Sequence, residues 1–97
     1  LLLIAGHETT TNLIGNGLLA LLREPDQLDV LRQDLNRIPT AVEELLRFDG
    51  PVQATLRVAC EDMSIDGESI AAGSLRMVGI GAANHDPDVF DEPERLD

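Results

Sequence analysis

The residues from Ala5 to Thr11, AGHETTT, place small, acidic and hydroxyl side chains inside an apolar stretch. In a helix interior, Gly6 and the threonines cost about 2 to 3 kcal/mol relative to alanine, so helix stability is not what this stretch maximises. Gly6 leaves room for a second group, and a threonine hydroxyl can donate to the carbonyl one turn earlier and bend the helix. Glu8 and Thr9 together are a plausible proton relay. The alternative is a helix that packs closely through Gly6 beside a solvated polar patch.

A second candidate is the pair Glu44 and Arg47, which lie three residues apart on one face of a predicted helix. On a surface such a pair contributes about 0.2 to 0.5 kcal/mol and carries no function. If the pair is buried, losing one partner costs about 3 to 5 kcal/mol, and a second arginine can complete a triad. Arg95 is the candidate for that third member.

Arg57 is the third candidate, because it alternates with Leu56 and Val58 on a predicted strand. Its side chain is expected to face the opposite way, toward water or an anionic ligand. His7 and His85 each stand alone, outside any metal-binding spacing, and are interpreted as ordinary polar residues.

Helices are predicted where apolar residues recur at helical spacing, namely over residues 1 to 23, residues 25 to 34 and the segment IPTAVEELLRF. Pro25 suits the first turn of the second helix, and Gly50-Pro51 ends the third.

The pattern changes to that of strands after Pro51. The segments LRVACEDMSI and ESIAA flank Asp66-Gly67, which predicts a two-residue hairpin, and Gly73 allows a turn into the strand SLRMVGI. The remaining residues predict an ordered loop with at most a helical turn on each side of His85. We therefore expect one domain that is mainly α with a small β-sheet.

Charge and composition exclude several classes of protein. The 97 residues include 18 acids and 7 arginines, and the net charge of -11 disfavours binding to nucleic acid. The lone Cys60 forms no internal disulfide, which favours a reducing cytoplasm. No apolar run approaches the roughly 18 residues that span a bilayer, so no membrane segment is expected.

Four segments in this order resemble one family: LLLIAGHETTTNLI, AVEELLRF, PVQATLRVACEDMSIDGESIAAG and GAANHDPDVFDEPERLD. They resemble the central-to-late part of cytochrome P-450, the haem-thiolate monooxygenases, and in particular the soluble bacterial members. The resemblance covers essentially the whole chain, whereas the family domain is much longer. We therefore expect residues 1–97 to be a partial cytochrome P-450 domain without the preceding helices and without the haem-binding cysteine loop, and inactive alone.

The resemblance implies roles for the first helix, which in this family crosses the distal face of the haem. Ala5 and Gly6 fall where the family leaves room for dioxygen. Glu8 and Thr9 fall on the acid and alcohol that relay protons, so that the O–O bond breaks heterolytically.

The resemblance also implies roles for the later residues. Glu44, Arg47 and Arg95 match a structural triad that locks the region before the haem-binding cysteine, and Arg57 matches an arginine on a haem propionate. The segment Pro51 to Thr55 then passes near the substrate pocket, which makes Val52, Gln53 and Ala54 candidate substrate contacts. No iron ligand is expected in this chain, because the family's thiolate comes from a loop that would follow Asp97.

The implied cofactor is haem b, with electrons from NAD(P)H through a ferredoxin reductase and a ferredoxin. The implied substrates are dioxygen and a small organic molecule. One alternative is a relative of the same fold that uses peroxide or does not hydroxylate. Another is a stand-alone acidic helical module that binds a protein through an apolar helix stripe.

Overall fold

Three helices make up the first half of the chain, as predicted. The computed structural model describes all of residues 1–97. Its first three helices are α1 (Leu2–Arg23), α2 (Pro25–Gln33) and α3 (Ile38–Asp49), with a short 3-10 turn at Leu35–Arg37 between α2 and α3. Proline occupies the first turn of both α2 and α3, where its missing N–H costs no hydrogen bond.

Helices α1 and α3 pack at a point where α1 carries a small residue. A Cβ added to Gly17 would lie 2.8 Å from the Cδ1 of Leu45, so glycine lets the leucine side chain sit against the α1 backbone. A hydrogen bond adds to this contact, because the side-chain amide of Asn16 donates to the main-chain carbonyl of Asp49 over 3.1 Å. The end of α3 is thereby fixed to the middle of α1.

The β-structure consists of two antiparallel pairs that do not share a sheet. Strands β1 (Ala54–Val58) and β4 (Leu75–Gly79) pair with each other, and β2 (Met63–Ile65) pairs with β3 (Glu68–Ile70). The predicted continuous strand LRVACEDMSI is therefore wrong, because the chain leaves the first pair after Val58 and enters the second at Met63.

The β2–β3 hairpin turns at the predicted dipeptide. Asp66 has φ 50° and Gly67 has φ 83°, the left-handed pair that a two-residue turn requires. The base of the hairpin is closed by the Asp62 carboxylate, which accepts from the N–H of Ala72 over 2.7 Å. Ala59 still donates to the carbonyl of Ser74 and accepts from the N–H of Gly73, so the hydrogen bonding of the first pair ends only after Ala59.

A short helix and a series of turns complete the chain. Helix α4 (Ile80–Asn84) follows β4 directly and ends before His85, whose ring Nδ1 lies 3.0 Å from the carbonyl of Gly81. Turns then lead to Leu96, which is buried. The helical turn before His85 agrees with the prediction.

The hydrophobic core is thin. Only four of the 97 residues are buried, namely Gly17, Ala20, Gly50 and Leu96. The radius of gyration is 17.0 Å, whereas a compact domain of about 100 residues has roughly 13 Å. No helix combines the length and apolar character needed to cross a lipid bilayer. The helices and strands are thus formed, while most large apolar side chains stay exposed to solvent.

Candidate functional site

The predicted proton-relay residues lie on an open face of α1. Ala5, Gly6 and Glu8 are exposed and Thr9 is half-buried. As expected, the Thr9 hydroxyl donates to the carbonyl of Ala5, over 2.8 Å. A Cβ added to Gly6 would meet nothing within 4 Å, so space for a second group is present above this turn.

An open cavity of about 790 Å³ joins this helix to the segment after α3. Thr9 forms part of one wall, and Val52 forms part of another. Arg47 and Ile80 also line it. The structure therefore brings Thr9 of the predicted relay and Val52, one predicted substrate contact, to the same cavity.

Arg47 is the most completely bonded side chain of the site. Its Nε and Nη2 donate to the two carboxylate oxygens of Glu44 over 2.7 and 2.6 Å. Nη1 donates to the carbonyls of Asn84 and Pro93 over 3.0 and 2.8 Å, and Nη2 also donates to the carbonyl of Arg95 over 2.9 Å. All five N–H groups of the guanidinium thus have an acceptor.

The same cluster draws in further groups around Glu44. The N–H of Asp97 donates to Oε1 of Glu44 over 3.1 Å, and the Arg47 guanidinium carbon lies 5.2 Å from the ring centre of Phe90, within cation–π range. Burial by itself raises the pKa of Glu44. The hydrogen bonds from Arg47 and Asp97, together with the positive charges of Arg47 and His85, outweigh burial and hold that pKa below its ordinary value.

Arg95 does not enter this cluster as the predicted triad requires. Its guanidinium pairs with Glu92 over 3.0 Å and is 64% exposed, while only its main-chain carbonyl reaches Arg47. The reason is local, since a turn in which Arg95 N–H donates to the Glu92 carbonyl places the two side chains together. The oxygens of Glu44 already accept from Arg47 and from the N–H of Asp97.

Gln53 is tied to the protein on both sides. Its side-chain amide donates to the carbonyl of Gly50 over 2.7 Å, and its main-chain carbonyl accepts from the N–H of Gly81 over 2.9 Å. A Cβ added to Gly81 would collide with Oε1 of Gln53. Of the three predicted substrate contacts, Val52 lines the cavity and Ala54 is the first residue of β1. The side-chain amide of Gln53 is hydrogen-bonded to the protein's own main chain.

Arg57 lies in the middle of β1 with its side chain exposed. Its Nη1 donates to the hydroxyl of Thr55 over 2.8 Å and to the carbonyl of Leu56 over 2.9 Å. No carboxylate pairs with it, so its charge is available to an anion.

Sequence reasoning missed several partners of Arg47. Asn84 and Pro93 contribute main-chain carbonyls, which every residue type possesses, so no sequence signal could have identified them. The contact with Phe90 could have been predicted in principle. Phe90 lies shortly before Arg95, a predicted member of the triad, and an aromatic ring near a structural arginine is a cation–π candidate.

Comparison with known proteins gives consistent matches over the full chain. The family model described as cytochrome P-450 matches residues 1–97. A vitamin D(3) 25-hydroxylase of Pseudonocardia autotrophica is 58% identical over 98 residues, which cover 100% of this chain and 24% of that protein. A biotin biosynthesis cytochrome P-450 of Bacillus subtilis is 52% identical over 97 residues, covering 100% of this chain and 25% of that protein.

Solved structures agree with the fold. The P-450 BioI, crystallised with an acyl carrier protein carrying hexadec-9Z-enoic acid, superimposes with a TM-score of 0.91 at 51% identity, covering 97% of this chain and 25% of that one. The ligand-free monooxygenase TamI gives 0.91 at 45% identity, covering 99% and 24%. The chain thus spans about a quarter of the length of these relatives.

Proposed function

The chain belongs to the cytochrome P-450 family, and we propose that it is part of a haem-dependent monooxygenase that inserts one oxygen atom of dioxygen into a small organic substrate. The observation that carries the proposal is the cavity between α1 and the segment after α3. It has Thr9 in one wall and Val52 in another, beside a turn of α1 that Gly6 leaves open.

The residues present fit a haem group. Gly6 leaves open space over the exposed turn of α1, and Arg57 offers a guanidinium without a carboxylate partner for a propionate. When bound, haem b supplies the iron at which dioxygen is reduced by two electrons, which we propose come from NAD(P)H through a ferredoxin reductase and a ferredoxin.

The chain's own part in the chemistry is to move protons. Glu8 is exposed and can take a proton from water. The Thr9 hydroxyl donates to the Ala5 carbonyl and keeps its oxygen lone pairs free to accept, so it can pass a proton on by rotating. Proton delivery of this kind contributes roughly 10²- to 10⁴-fold to a rate.

The remaining surface suits a chain that is covered by other parts of a larger protein. Leu2, Leu3 and Ile4 are exposed by 92, 84 and 62%, and exposed apolar patches of this kind mark contact surfaces. A stand-alone acidic module, the alternative from another class, would instead be monodisperse and folded by itself.

Thr9→Ala in the whole protein tests the proposal, with Thr10→Ala as the matched control because it makes no side-chain hydrogen bond. With a compound that the wild-type enzyme hydroxylates, we expect Thr9→Ala to lower the share of electrons recovered in product by about tenfold and to raise peroxide release. Thr10→Ala is expected to behave as wild type.

Two results would count against the proposal. Unchanged coupling in Thr9→Ala would remove Thr9 from proton delivery. A wild-type protein that takes up no haem, or that turns over with peroxide and not with reduced ferredoxin, would contradict the monooxygenase assignment.

A further inference from the structure

Two arginines face each other across the β1–β4 pair. In the register of the two strands Arg57 lies directly opposite Arg76, so both side chains emerge from the same face. Directly opposed residues have Cβ atoms about 4.5 to 5.5 Å apart, and like charges there are unfavourable. A protein with 18 acids and 7 arginines has nevertheless placed two arginines together.

The other arginines have local explanations that this pair lacks. Four of the seven, Arg32, Arg37, Arg47 and Arg95, each pair with an acid three residues earlier in the chain. Arg23 lies in the last turn of α1, where a cation is favoured by the helix dipole. Arg57 and Arg76 are the two that remain.

No acid lies on either strand or forms an ion pair with the two arginines. Neither β1, ATLRV, nor β4, LRMVG, contains an Asp or Glu, and Arg76 makes no side-chain hydrogen bond or ion pair. Arg57 donates only to Thr55 and to the Leu56 carbonyl. Both guanidinium groups therefore retain donors for a ligand.

The opposite face of the same pair is apolar. Leu56 lies opposite Met77, and Val58 lies opposite Leu75, so this small sheet has one apolar face and one cationic face. An apolar face is expected to be covered by protein, which turns the cationic face toward a polar ligand. Guanidinium groups bind carboxylates in a two-pronged geometry, and two of them side by side suit a carboxylate better than one.

We propose that Arg57 and Arg76 form one carboxylate-binding site, in which Arg76 adds a second cation to the one that the family resemblance assigns to Arg57. The carboxylate comes either from a haem propionate or from an organic acid substrate. If the carboxylate is a haem propionate, the inference rests on the proposed function. If it is an organic acid, the inference does not require haem.

The test uses the whole haem protein and three variants. Arg76→Gln removes the charge, Arg76→Lys keeps it without the fork, and Arg32→Gln removes another exposed arginine as a control. The first readout is the rate at which haem transfers to excess apomyoglobin. The second is the dissociation constant for octanoate and for uncharged octanamide, read from the haem spectrum.

Two positive results identify the source. If the propionate is the ligand, Arg76→Gln loses haem about two- to fivefold faster, Arg76→Lys is intermediate, and Arg32→Gln matches wild type. If a substrate carboxylate is the ligand, haem loss is unchanged and the octanoate dissociation constant rises about two- to fivefold, with octanamide unaffected.

Two results overturn the site. One is an Arg76→Gln variant with unchanged haem loss and unchanged octanoate affinity. The other is an Arg76→Gln variant whose melting temperature falls by the same amount with and without haem and with and without octanoate, since that identifies an ion pair inside the protein. If the wild-type protein takes up no haem, the proposed function fails but the site is still testable. In that case octanoate should raise the melting temperature of wild type more than that of Arg76→Gln, and an equal rise would overturn the site.

Discussion

The Glu44–Arg47 cluster and the Ala5–Gly6 turn of α1 are built in opposite ways. At Glu44 and Arg47 the side chains are 18 and 11% exposed, and every donor of the guanidinium has an acceptor. Around Ala5 and Gly6 the helix is exposed, and the side chains of the turn make one hydrogen bond, from Thr9. The first region stabilises the fold from within the chain, while the second leaves room for something to bind.

The contrast implies that substitutions have opposite effects on stability in the two regions. In the closed region a truncation removes hydrogen bonds from part-buried partners. In the open region a Cβ added to Gly6 meets nothing within 4 Å. The following variants, made in the whole protein, test this difference.

Arg47→Ala is expected to have the largest effect. It removes the ion-pair partner of the Glu44 carboxylate, which keeps only the N–H of Asp97, and it removes the guanidinium that donates to three main-chain carbonyls. We expect the free energy of unfolding to fall by about 3 to 5 kcal/mol. Urea unfolding followed by circular dichroism measures this loss. Arg32→Ala, which removes an exposed arginine that is 69% accessible, is the control and should change stability by less than about 0.5 kcal/mol. Equal effects of the two variants would erase the distinction between the regions.

Glu44→Gln is expected to have an intermediate effect that depends on pH. The folded-state pKa of Glu44 lies below that of a glutamate in the unfolded chain, so its stabilisation is complete above about pH 4.3 and is lost as the pH falls through the lowered value. At neutral pH we expect a loss of about 1.5 to 3 kcal/mol. Below that window wild type and variant should converge.

The measurement is urea unfolding at a series of pH values across this window. Glu43→Gln removes a neighbouring exposed carboxylate and should leave the wild-type pH profile in place. A Glu44→Gln profile parallel to that of wild type would show that Glu44 does not titrate as an anchored carboxylate.

Gly6→Ala is expected to have the smallest effect and the opposite sign. An added Cβ meets nothing within 4 Å, and alanine is a better helix former than glycine. We therefore expect a gain of up to about 1 kcal/mol in unfolding free energy, together with weaker oxygen activation if the space above Gly6 is used. Gly17→Ala is the matched comparison on the same helix. Its Cβ would press on Leu45, so a gain there as well would contradict the close packing of α1 on α3.

The sequence predicted the elements whose signals are local. Helical spacing together with Pro25 placed α2 within one residue of its observed end, and Asp66-Gly67 marked the hairpin turn. The break between β1 and β2 was missed, because β1 pairs with β4 across an intervening hairpin and the Asp62 side chain at the base of that hairpin bonds to a main-chain N–H, which carries no sequence signal.

In the candidate site, too, the contacts within a helix were predictable, and the contacts of residues outside the helices were not. The Glu44–Arg47 pair follows from helical spacing, and the Thr9 hydrogen bond follows from the chemistry of a helical threonine. The position of the Arg95 side chain was not predictable, since it depends on a turn that brings Glu92 closer than Glu44. Gln53 was named as a substrate contact from the family resemblance, and the hydrogen bond from its amide to the Gly50 carbonyl could not be foreseen because its partner is a main-chain group.

Arg47 holds the last part of the chain through carbonyl oxygens, at residues 84, 93 and 95. A carbonyl stays the same whichever side chain its residue carries. These positions can therefore accept substitutions over generations without loosening the anchor, provided that the backbone keeps its path. Mutational freedom at the surface of this segment is thus compatible with a rigid attachment underneath, and the constraint is concentrated on a single guanidinium.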